Sequence, residues 1–137
     1  MPKTFELLCV TSGRVILGLY FLLPGAVLKI VNPEGTAQAM ADKGMFAVSF
    51  FLILTIIIQL VGGINMIVGY QTKITAFILA GLTIVISLVM HNFWEVASET
   101  QNFVKNLGIM AGLLVAAGLG AGDWSVDHRL KNKREQS

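Results

Sequence analysis

Four long apolar stretches, separated by short polar intervals, organise the chain. They run from about Leu8 to Val31, Phe46 to Tyr70, Ile74 to Met90 and Val104 to Gly122. Each approaches the ~20 residues that a helix needs to cross a hydrocarbon layer of about 30 Å. Helix is the conformation that fits. Lipid offers no partner to an open strand edge, and too few alternating segments exist to close a barrel. The pattern therefore predicts an all-α integral membrane fold, a four-transmembrane-helix bundle.

The intervals differ in character. Asn32-Pro33-Glu34-Gly35 stops the first helix, and Thr36 to Lys43, alanine-rich and weakly amphipathic, reads as a short interfacial helix between helices 1 and 2. Tyr70 to Lys73 is a tight turn. Pro24 lacks a backbone donor, which predicts a kink near Tyr20. A transmembrane domain over 1–124 is then followed by a polar tail over 125–137, too hydrophilic to cross. The N-terminus imitates a secretory signal, but Arg14 interrupts its apolar run and the run continues past Ala26 to Val31. It is expected to remain as the first helix.

Composition agrees with a membrane protein: 55% of the 137 residues are hydrophobic and 13% charged, against about 25% charged in soluble domains. The net charge of +2 is small and dispersed, which excludes nucleic acid as a partner. Lys and Arg divide unevenly between the two sides. Lys3, Arg14, Lys73, Arg129, Lys131, Lys133 and Arg134 share one side, whereas Lys29, Lys43 and Lys105 share the other. The asymmetry predicts that both termini are cytoplasmic. Cys9 is the sole thiol, so no intramolecular disulfide, CxxC pair or cysteine zinc cluster can form. The two histidines, His91 and His128, fall on opposite predicted sides, so neither haem nor another metal is expected.

Candidate chemistry gathers at the outer ends of the spans. Thr83, Ser87, His91 and Glu95 are successive i,i+4 neighbours if the third helix persists beyond Met90. Gln59 lies on a stripe with Gly62, Gly63 and Met66, an amide at a depth where it needs a partner. Gly18, Gly25 and Lys29 share a face, as do Lys105, Gly108 and Gly112, where a GxxxG pair predicts close helix approach. Each feature also has a structural explanation. Thr83 and Ser87 can bond their own backbone, Lys29 and Lys105 can snorkel to headgroups, and Phe93 and Trp94 can form an interfacial aromatic belt. His91 can exchange a proton or hold a polar headgroup.

Five short motifs occur in order: Gly25-x-x-x-Lys29, Gln59-Leu-Val-Gly62-Gly63 with Gly69, His91-x-Phe93-Trp94, Phe103-x-Lys105-Asn106-Leu107, and Gly120-x-Gly122-x-x-Ser125-x-Asp127. Together they resemble the DoxX family of small four-helix membrane proteins over nearly the whole chain. The resemblance implies a bacterial or archaeal plasma membrane. It also implies a likeness to a membrane subunit of thiosulfate:quinone oxidoreductase. Members often carry Glu in the second helix where Gln59 stands here.

Three functions follow from these readings. The first is a quinone-linked redox subunit. His91, Lys29 and Glu95 would form its reactive group, while Gln59, Asn106, Lys105 and Trp94 would hold a membrane quinone in an apolar slot. Its electron carrier must come from elsewhere, because the chain has no flavin, haem or disulfide motif. The second is a non-catalytic anchor or assembly partner, working with membrane lipid, a protein partner or further copies of itself. The third is a small-solute transport subunit, which lacks support from inverted repeats.

Overall fold

The N-terminal apolar stretch forms one rod in the computed structural model, which describes residues 1–137. Helix α1 covers Lys3–Tyr20 and continues through π-helical Phe21–Val27 into Leu28–Val31. Pro24 explains the change of pitch. It donates no hydrogen bond, and its ring crowds the carbonyl of Tyr20 one turn earlier. Widening to a π-helix lets the chain pass this point, so the expected kink is taken up as a local change of winding.

Asn32 then accepts a hydrogen bond from Gly35 N at 3.2 Å, and Pro33 supplies the first helical residue of α2, Pro33–Asp42. This cap starts the short helix three residues before the expected Thr36. Positive φ angles at Gly44 and Ala47 turn the chain into α3, Val48–Val68. A second such turn at Gly69 and Gln71 leads to α4, Thr72–Met90. After an irregular segment and a 3-10 turn at Ala97–Glu99, α5 runs over Thr100–Leu119. The polar tail is helical, forming α6 over Val126–Gln136 with Ser125 as its cap.

Four helical stretches are long and apolar enough to cross a membrane, and no strand is present. The protein is a multi-pass membrane protein. Its exposed large side chains include Ile53, Ile57, Phe77, Val85 and Val115, which is where a bundle surrounded by hydrocarbon places apolar residues. Four crossings return the C-terminal segment to the face of the N-terminus, and Lys3 pairs there with Asp123 at 3.2 Å. The core proper, Phe21, Met66, Ala76, Leu79, Ala80 and Leu113, joins all four spans.

Close approach occurs between α1 and α3. A Cβ built on Gly63 would lie 2.8 Å from Gly18 O and 2.9 Å from Leu22 N, so only hydrogen fits there. The fourth span behaves otherwise. Nothing lies within 4 Å of such an atom at Gly108 or Gly118, and at Gly112 only Leu17 comes near, at 3.7 Å. The GxxxG expectation for α5 is therefore corrected. That helix packs chiefly through its α4-facing side, and Gly108 and Gly118 lie on its uncovered surface.

Candidate functional site

A cavity of about 510 Å³ opens among the π-helical part of α1, α2, the far halves of α3 and α4, and the start of α5. Phe51, Leu52, Ile58 and Ile86 contribute its apolar walls, and Thr36 and Met40 of α2 cover it. The volume lies within the usual range of small-molecule sites.

Lys29 defines its deep end. The side chain runs back along α1, as helical side chains do, and the ammonium donates to Gly25 O at 2.8 Å and to Gln59 Oε1 at 3.0 Å. Gln59 is the twelfth residue of α3, about 16 Å in from its far end at ~1.5 Å per residue. Lys29 therefore does not snorkel outward, and its head lies deeper than the expected level beside His91. Gly25 permits this meeting, since a Cβ there would come within 3.2 Å of the Gln59 amide.

His91 stands at the opposite end of the cavity, where it terminates α4 with φ −122°. Its Nδ1 lies 2.7 Å from Glu99 Oε2, which also accepts from Asn102 Nδ2 at 3.0 Å. Lys105 and Asn106 enter the cavity from α5. Lys105 is exposed, whereas Asn106 is only 5% exposed. The Asn106 side-chain amide and the Gln59 nitrogen make no hydrogen bond within the protein, and both residues line the cavity.

Five of the seven residues singled out from sequence thus meet at one cavity: Lys29, Gln59, His91, Lys105 and Asn106. Glu95 and Trp94 do not line it. The expected i,i+4 continuation from His91 to Glu95 fails because α4 stops at Met90 and a turn follows, with Glu95 N and Val96 N both bonded to Asn92 O. Glu95 instead accepts from Asn92 Nδ2, and Asn92 Oδ1 accepts from Lys43 Nζ at 2.9 Å. Trp94 is 55% exposed and packs edge-on against Phe93 and Phe103. Thr83 and Ser87 donate to Leu79 O and Thr83 O, both at 2.7 Å, so their hydroxyls are satisfied within α4.

Sequence reasoning missed Glu99 as the partner of His91 and Arg14 as a buried clamp. Arg14 is 4% exposed and donates through Nη1 to Met66 O and Ile67 O, both at 2.6 Å, and through Nη2 to Trp124 O at 2.9 Å. An arginine inside an apolar run was itself the signal, because such a group must find acceptors in the protein. Beside it, Asp127 accepts from Gln71 N at 2.7 Å and Thr72 N at 2.9 Å, capping α4 from the tail.

The match to known proteins decides the family. The DoxX family model matches residues 9–92, more than half the chain. The chain belongs to the DoxX family. It is 33% identical to Inner membrane protein YqjF of Escherichia coli over 132 residues, covering 96% of this chain and 98% of that protein. It is 26% identical to Inner membrane protein YphA of the same organism over 122 residues, 85% and 86% of the two chains. A eukaryotic likeness is partial. ER-derived vesicles protein ERV29 of Saccharomyces cerevisiae is 31% identical over 117 residues, 82% of this DoxX chain but 34% of the yeast protein. No solved structure matches significantly.

Proposed function

We propose that this DoxX-family membrane protein is the quinone-binding subunit of a membrane oxidoreductase. The observation behind the reading is the set of donors facing one apolar cavity: the Lys29 ammonium, the Gln59 nitrogen and the Asn106 amide. A quinone presents two ring carbonyls and an apolar tail, and these features suit donors set among hydrocarbon walls. Bound quinone would supply two-electron redox chemistry. Lys29 and Asn106 orient the carbonyls, the walls formed by Phe51 and Ile86 exclude water, and His91 exchanges protons at the mouth through its contact with Glu99. Electrons come from a partner protein.

The test is purification in native lipid followed by solvent extraction. The expected result is quinone enriched over bulk membrane lipid, with the enrichment lost in Asn106→Leu. A quinone-to-lipid ratio equal to that of the surrounding membrane refutes the proposal.

A second reading, as an assembly partner, is favoured by the uncovered glycines of α5. Gly108 and Gly118 leave room for another transmembrane helix to approach. Crosslinking from that face in mild detergent checks it, and recovery of single chains only would refute it.

A further inference from the structure

Lys29 stands at the middle of a membrane helix bundle with no carboxylate to balance it. Its two acceptors are the neutral oxygens of Gly25 and Gln59. The other basic groups at the cavity are Lys105 and His91, and no Asp or Glu is among its lining residues. The acids at the rim are engaged elsewhere, Glu99 with His91 and Asn102, and Glu95 with Asn92. Lysines within membrane spans ordinarily pair with an acid or face a functional pathway, because an unpaired charge there is costly. The cavity thus holds two lysines, Lys29 and Lys105, and no acid of its own, within largely apolar walls.

We propose that the cavity selects its ligand by charge, binding amphiphiles with an anionic oxygen head in preference to neutral ones, and that Lys29 is the residue that pairs with the head. The proposal rests on the preceding reading for where the ligand lies and needs no redox step. A carboxylate or an ionised ring hydroxyl shares the required chemistry, an oxyanion able to accept the ammonium's remaining N–H. The tail lies along Phe51, Leu52 and Ile86. Lys29 also lines a second, shallower groove with Leu28, Asn32 and Thr36, between the end of the first span and α2.

Palmitate and methyl palmitate form the probe pair, since they differ in head charge and share a tail. Affinities are measured by calorimetry on delipidated protein in an uncharged maltoside detergent. Palmitate should bind wild type roughly tenfold or more tightly than the ester, the scale expected for one charge-assisted contact. The preference should vanish in Lys29→Met and in the more polar Lys29→Gln, and persist in Lys73→Met, a lysine that does not line the cavity. Equal wild-type affinities overturn the proposal, as does a preference that survives both Lys29 variants. Solvent extraction separates the possible sources, a fatty acid or a ring compound. Charge preference without copurifying quinone leaves this inference standing and removes the quinone reading; enriched quinone without charge preference does the reverse.

Discussion

Placing a methyl group at Gly63 tests whether the α1–α3 crossing is the structural keystone of the bundle. The new Cβ would sit 2.8 Å from Gly18 O, 2.9 Å from Leu22 N and 3.0 Å from Leu22 Cβ. Ordinary contact begins near 3.4 Å, so the helices must part by roughly 0.6 Å, and two of the three obstructing atoms are backbone that cannot rotate away. Overpacking of this kind costs about 1–3 kcal/mol, and the upper end applies where backbone must move. Replacing a helical glycine with alanine returns about 0.5–1 kcal/mol, leaving a net loss of about 2 kcal/mol for Gly63→Ala. The same substitution at Gly108 meets nothing within 4 Å and keeps only the gain. The two variants should therefore differ by about 3 kcal/mol, roughly a hundredfold in the folding equilibrium. Unfolding titrations with a denaturing detergent in mixed micelles measure the difference. A Gly63→Ala protein as stable as wild type, or a Gly108→Ala protein that loses as much, refutes the reasoning.

Two further predictions concern the terminal face. Arg14→Met leaves the carbonyls of Met66, Ile67 and Trp124 without their charged donor and should cost about 3 kcal/mol or more in the same titration. Arg14→Lys should recover only part, since one ammonium cannot reproduce the guanidinium fork. Asp127→Ala removes the acceptor for two amides at the start of α4 and should cost about 1 kcal/mol. It should also speed hydrogen exchange at Gln71 and Thr72, and unaltered exchange there would refute the cap.

Much of the architecture was legible because lipid leaves few options. Long apolar runs must be helices, and the second and third spans fall within two residues of their expected bounds, while the first and fourth start five and seven residues early. What escaped depended on contacts between residues far apart in sequence. Lys29 shows this best: its position near a helix end allowed either direction for the side chain, and only Gln59 on a neighbouring helix draws it inward. Glu95 departs from its expected place for a local reason. Helical spacing carried past Met90 puts Glu95 below His91, whereas Asn92, a residue that favours turns, redirects the chain and hands the histidine contact to Glu99. The glycines illustrate a third limit. Gly63 and Gly108 look alike as small residues in apolar helices, yet one is enclosed and the other open. Sequence spacing identifies a face that could be approached closely but does not supply the neighbour.

The Arg14 clamp also has a temporal consequence. Its first acceptors, Met66 O and Ile67 O, emerge more than fifty residues after the arginine, and Trp124 O follows it by 110. At synthesis rates of about 5–20 residues per second, the guanidinium waits roughly 5–20 s for its last partner. Until Met66 and Ile67 emerge, the guanidinium has none of its final acceptors, and water or lipid headgroups must hold it near the surface. The Arg14 clamp therefore forms in two stages, first against α3 and then, once the last transmembrane span has arrived, at Trp124.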